Sequence, residues 1–256
     1  MTTVEDILQF IESVAPPALK MEGDNIGLLC GQADKEIKTV LVALDPFVSV
    51  CKEAVEENAD LLVTHHPIIH GSITSVTDQT TYGQAIVELL SHGISAVNAH
   101  TNLDCADGGV NDTLAARLGL QDIQKIAADP GGLLRMGQVE AQALEDFLPK
   151  VKTNLCCAGL RYVNGGKKVC KVAVGGGSCG SALPAVVAAG CDTFVTADVR
   201  YNQFWDAKFF GINMIDAGHF HTENPVVAVL AKKIQAAFPD VVVKISKNHT
   251  DCMKFY

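Results

Sequence analysis

Ala59-Asp60-Leu61-Leu62-Val63-Thr64-His65-His66-Pro67 runs from a short apolar strand straight into two histidines and a proline. An unbroken apolar run of this length suits a strand covered on both faces, the kind that α/β folds place in parallel sheets. Proline has no N–H to donate, so Pro67 halts the ladder and the strand ends where the histidines begin. On either side the chain alternates apolar strands with helices. Strands are expected at 39–44, 60–64 and 94–99, and helices at 49–57, 84–91 and 110–118, the last two closed by Gly93 and Gly119. Ahead of them Val4, Ile7, Leu8, Ile11 and Val14 keep helical spacing. Thr2 with Glu5 reads as a capping box there, and Pro16-Pro17 ends the helix. The expected fold class is α/β, with mixed, largely parallel sheets.

The pattern occurs twice. Val42-Ala43-Leu44 is echoed by Val172-Ala173-Val174, and Ala59-Asp60-Leu61-Leu62-Val63-Thr64 by Cys191-Asp192-Thr193-Phe194-Val195-Thr196. Gly93-Ile94-Ser95-Ala96-Val97-Asn98-Ala99 is echoed by Gly211-Ile212-Asn213-Met214-Ile215-Asp216-Ala217. The offsets are 130, 132 and 118 positions, in the same order. Three ordered matches indicate duplicated α/β halves, expected at 1–125 and 126–256. Residues 121–168 join them, with a helix near 143–151 and a turn at Asn164-Gly165-Gly166. No low-complexity linker interrupts the chain, so the halves are expected to pack as one compact unit.

Composition narrows the function classes. Of 256 residues, 48% are hydrophobic and 19% charged, which supports a substantial core and argues against disorder. A formal charge of −9 repels phosphate backbones, so nucleic acid is not the expected partner. Nine cysteines, with no CxxC and no regular framework, read as reduced thiols, and adjacent Cys156-Cys157 as packing residues. With no basic region leading into an apolar run at the start and no membrane-length apolar stretch, a cytoplasmic setting is expected.

Five of the eight histidines fall in three clusters, each just past an expected strand. They are His65-His66, the stretch from His100 to Asp104, and the stretch from His219 through His221 to Glu223, which leads into a helix that Asn224 can cap and Pro225 can start. Adjacent residues on a regular strand face opposite ways, so His65 and His66 serve one site only where the strand ends. Ligand sites in open α/β sheets gather beyond the carboxyl ends of the strands, which brings distant residues to one edge. Imidazole with carboxylate suits zinc, iron or manganese, and one carboxylate can bridge two ions. A bridged pair about 3.5–4 Å apart polarises a phosphoryl or carbonyl oxygen and supplies a hydroxide at neutral pH. The expected metal residues are His65, His66, Asp104, His219 and Glu223. His100 and His221 are expected to face substrate or support the ligands, with proton relay as the catalytic role. His70 reads as a loop residue, and His92 and His249 as ordinary surface residues.

Gly175-Gly176-Gly177-Ser178-Cys179-Gly180 fits GxGxxG between a strand and a helix. Three readings stand: a dinucleotide fingerprint with Asp192 or Asp198 as the acid, a phosphate-binding backbone nest, or a turn that lets backbone approach closely.

Taken in order, these motifs resemble the Nif-three-like family, often labelled GTP cyclohydrolase I type 2 homologues. The resemblance spans nearly the whole chain. It is carried by Asp24-Asn25-Ile26-Gly27-Leu28, Leu62-Val63-Thr64-His65-His66-Pro67, His100-Thr101-Asn102-Leu103-Asp104, the glycine loop, Thr196-Ala197-Asp198, and Gly218-His219 with Glu223. It implies a duplicated Nif-three-like α/β fold, a toroidal homohexamer built as a trimer of dimers, and two divalent metal ions per subunit. His66 and Asp104 would bind one ion, His65 and His219 the other, and Glu223 both. Some relatives carry an extra domain between the halves, for which 121–168 leaves no room. Ala197 stands where relatives often have glycine. The implied activity is metal-dependent hydrolysis of a nucleotide-like substrate or another phosphorylated small molecule, with GTP ring opening the reaction in the label. The other reading is a non-catalytic metal-handling or regulatory interaction protein.

Overall fold

The computed structural model describes residues 1–129 and 131–256. In chain order they form α1 Val4–Val14, β1 Gly27–Cys30, β2 Thr39–Ala43, α2 Val48–Glu56, β3 Leu61–Thr64, α3 Thr81–Ser91, β4 Ser95–Asn98 and α4 Thr101–Cys105. There follow α5 Val110–Arg117, β5 Gln121–Lys125, β6 Arg135–Gln142, α6 Leu144–Asn154, β7 Arg161–Val163 and β8 Val169–Val174. The last elements are α7 Leu183–Ala188, β9 Thr193–Thr196, α8 Tyr201–Phe210, β10 Asn213–Asp216, α9 His219–Glu223, α10 Pro225–Ala237 and β11 Val242–Ile245. The chain divides into two compact units, Met1–Asp107 with Val227–Thr250, and Gly108–Val226 with Asp251–Tyr256.

The first unit is built on a five-stranded sheet in the order β1-β4-β3-β2-β11. All neighbours are parallel except β1, which runs antiparallel to β4. Leu41, Leu62 and Ala96 pack on one face against Val50, Ala54, Ile86 and Leu89 of α2 and α3. Val40, Val42, Leu61, Val63 and Val97, pointing the other way, are equally buried, as the unbroken apolar runs predict. The capping box of α1 lies one residue later than its expected position: Thr3 and Asp6 exchange the reciprocal bonds. Ile37 N–H bonds Thr2 carbonyl, which occupies Thr2 outside the helix.

The second unit carries a six-stranded sheet, β5-β6-β8-β9-β10-β7, with β8, β9 and β10 parallel and β5, β6 and β7 antiparallel to their neighbours. Alternation along these strands splits the core. Val172, Val174, Val195 and Ile215 meet Phe147 and Val151 of α6, while Ala173, Phe194 and Met214 meet Leu183, Val186 and Ala207 of α7 and α8. The echoed segments are the parallel triplets β2-β3-β4 and β8-β9-β10, each bordered by an antiparallel strand beside its third member.

Strand pairing does not follow a division after residue 125. The 121–125 segment is β5, paired with β6, and the 242–245 segment is β11, paired with β2 in the first sheet. Residues 121–168 are likewise not a connector but the antiparallel border of the second sheet. Apolar periodicity marks strands; it carries no record of which edge takes them.

Candidate metal centre

In the first unit, β3 and β4 are parallel neighbours with Thr64 opposite Asn98, so their carboxyl ends share an edge. The chain turns there. Thr64 Oγ1 donates to His66 carbonyl at 2.7 Å and His66 N–H to Leu44 carbonyl at 2.9 Å. Freed from strand geometry, the rings of His65 and His66 come within 4.8 Å of each other, and His100 lies 5.3 and 5.4 Å from them. A nitrogen from each of the three lies within 4.8 Å of the others, a spacing that one ion can bridge. Asp104, on α4, brings Oδ1 to 3.5 Å from His65 Nε2. Both side chains are buried.

Every ring in this group is held at Nδ1. His65 Nδ1 bonds Ala99 carbonyl at 2.9 Å, His66 Nδ1 bonds Asp45 Oδ1 at 2.6 Å, and His100 Nδ1 bonds Asp24 Oδ1 at 2.7 Å. These oxygens only accept, so the hydrogen sits on Nδ1 and the lone pair of the neutral ring on Nε2. Metal-binding histidines need this tautomer, with an outer oxygen fixing the ring and raising its basicity. Burial alone would raise the Asp45 carboxyl, but hydrogen bonds from His249 and His66 outweigh it and hold it well below the ordinary range. Asp24 follows the same balance: burial opposes ionisation, and the bonds from His100 and Thr101 prevail. Both stay anionic acceptors at neutral pH.

The second unit repeats the device. Past β10, Gly218 adopts φ +83° and opens α9. The i,i+4 spacing sets His219 and Glu223 on one face, Nε2 to Oε2 3.0 Å. His219 Nδ1 meets Asp198 Oδ2 at 2.6 Å. Asp198 follows β9 in the left-handed region, φ +51°, which aspartate tolerates better than most residues.

The glycine loop supports Glu223. N–H groups of Gly175, Gly176, Gly177 and Cys179 donate to Val195 carbonyl, Asn111 Oδ1, Thr222 Oγ1 and Thr196 Oγ1. A phosphate cradle needs such donors for its ligand. Here they bind the loop to its own unit, so the dinucleotide and phosphate readings give way to close backbone approach. A Cβ at Gly177 would stand 2.2 Å from Glu223 Oε1 and 3.2 Å from His219 Cε1. Ala197 is compatible with that packing, its N–H donating to Gly177 carbonyl at 2.9 Å.

The remaining histidines divide. His221 is engaged on both nitrogens, by Leu155 carbonyl at 3.2 Å and Asp251 Oδ2 at 3.3 Å. His70 is exposed and sets its ring edge-on to His100 at 5.7 Å. His92 is exposed on α3's end, as expected. His249 is not a surface residue: its side chain is 3% exposed and its Nε2 donates to Asp45 Oδ2 at 2.8 Å. Sequence reasoning passed over Asp45 and gave Asp198 a different role. The available signal was position, since each follows the carboxyl end of a parallel strand, as the histidine clusters do.

The family model for Duf34/NIF3 (NGG1p interacting factor 3) matches residues 2–252. This chain belongs to that family. The GTP cyclohydrolase 1 type 2 homolog of Clostridium acetobutylicum is 32% identical over 263 residues, covering 98% of each chain. A Bacillus cereus protein related to NIF3 superposes over 100% of both chains with TM-score 0.93 at 26% identity. Reduced HcgD from Methanocaldococcus jannaschii superposes with TM-score 0.83 at 31% identity, covering 96% of this chain and 98% of that one. The resemblance read from the motifs and the α/β fold class are thus borne out. Histidine and carboxylate donors able to bind a metal ion are present in this Duf34/NIF3 chain. Among the described residues no helix is long and apolar enough to cross a membrane.

Proposed function

We propose that this Duf34/NIF3 protein is a dinuclear, divalent-metal-dependent hydrolase of a nucleotide-like substrate. The observation that carries the reading is the repeated device at the strand ends: His65 and His219 are each pinned at Nδ1 by an oxygen, with Nε2 next to a carboxylate. On the family resemblance, His65, His66, Asp104, His219 and Glu223 would hold two ions of zinc, iron or manganese, Glu223 serving both. Once bound, such a pair supplies Lewis acidity and a hydroxide nucleophile at neutral pH. Asp45, Asp24 and Asp198 keep the rings aimed. His100, its ring aimed by the Nδ1 bond to Asp24, would relay protons. His221 is the other candidate for the relay, its nitrogens set against Leu155 carbonyl and Asp251 Oδ2.

The names of the relatives point toward GTP as the first substrate to try. The proposal extends, through the family resemblance, to a homohexamer built as a trimer of dimers and to a cytoplasmic setting, which nine cysteines without a regular framework suit. The test incubates metal-loaded protein with GTP and a panel of nucleotides beside Glu223→Ala. Turnover that needs metal and is lost in the variant is expected. Reversible metal binding without turnover above the variant would replace this reading with metal handling.

A further inference from the structure

We propose that His249 is a positioning residue for the His66 metal donor, acting through Asp45, so that metal affinity is linked to the docking of residues 246–250. The inference rests on the reading of His66 as a ligand. Asp45 spends one oxygen on each ring: Oδ1 accepts from His66 Nδ1 at 2.6 Å and Oδ2 from His249 Nε2 at 2.8 Å. A carboxylate held by one hydrogen bond can swing about its own side-chain bonds; held at both oxygens it fixes the plane of the His66 ring. His249 reaches it from the segment after β11, far from His66 in sequence.

That segment has its own clamp. Glu53, on α2 and 5% exposed, accepts from Ser246 Oγ, Lys247 N–H and Asn248 N–H. β11 is laddered to β2, the strand that leads into Asp45. The backbone of 246–248 is therefore placed without help from His249, whose ring also lies 6.5 Å from that of Phe47. Removing the imidazole takes away the bond to Asp45 and leaves the strap.

The test measures zinc affinity by competition with a chelator for the full-length wild type, H66A, D45A, H249A, H249Q and the D45A/H249A double variant. Removing Asp45, the direct partner, should cost about 10–100-fold. H249A is expected to weaken zinc several-fold, H249Q to recover most of that through its amide donor, and H249A to cost nothing further once Asp45 is gone. Zinc should also slow amide exchange at 246–250 in the wild type but not in D45A. If H249A does not fold, His249→Phe keeps the ring and deletes the donor. H249A or H249F binding zinc within twofold of wild type, while H66A loses it, overturns the inference alone, as does an undiminished H249A cost on the D45A background. Zinc retained in H66A overturns the ligand assignment and this inference with it.

Discussion

Gly177→Ala puts a methyl group where Glu223 already stands. The residue sits at φ +63°, and its added Cβ would fall 2.2 Å from Glu223 Oε1. Two costs follow. An alanine in the left-handed region is strained by about 1–2 kcal/mol. Overpacking a filled site adds about 1–3 kcal/mol, relieved only by driving the carboxylate away. Gly166 provides the control, because it is at φ +83° in the same unit with nothing within 4 Å of its would-be Cβ. Gly166→Ala should pay the conformational term alone. In thermal melts, where about 1 kcal/mol moves Tm by roughly 2–4 °C for a chain of this size, Gly177→Ala should fall clearly further than Gly166→Ala. It should also lose at least about tenfold in zinc affinity, about 1.4 kcal/mol, while Gly166→Ala keeps wild-type binding. Equal destabilisation of the two variants with unchanged zinc affinity would refute the view that the glycine loop exists to seat Glu223.

Other perturbations test the fold and the loading of the site. Asp60 accepts from Lys38 N–H at 2.8 Å and Thr39 N–H at 3.1 Å; burial opposes its ionisation, but these bonds and Lys35 lower its pKa. A lowered folded pKa gives stability that is present above the unfolded value near 4 and disappears as pH falls through the folded one. Asp60→Asn should therefore cost about 1 kcal/mol at pH 7, and urea titrations should show the gap closing in strong acid. Phe147→Ala empties a fully buried position between α6 and its sheet and should cost about 3–5 kcal/mol in the same assay. Stripping metal with a chelator should lower Tm, since zinc at about 100 times its dissociation constant stabilises by about 2.7 kcal/mol; Glu223→Ala should show a much smaller difference between loaded and stripped protein.

Much of the architecture was legible because parallel strands covered on both faces leave an apolar signature. Leu61-Leu62-Val63 and Phe194-Val195 could hardly be read otherwise, and both became central strands. The border strands were not legible. β5, Gln121–Lys125, is mostly exposed and polar, so no burial pattern marks it, and β11 joins its sheet from the far end of the chain. The histidines stood out by clustering at strand ends. Their carboxylate partners did not, because Asp45 and Asp198 are single acidic residues in turns, where aspartate is common for reasons of its own.

The sequence by itself determined the donor types, the strands that end beside them and the family to which those motifs belong, because local order and periodicity encode all three. Only the tertiary structure decided which oxygen pins each ring, that the glycine loop braces Glu223 instead of offering its amides to a ligand, and that His249 is bound to Asp45. Those facts depend on side chains meeting across elements distant in sequence, and no local pattern constrains such meetings.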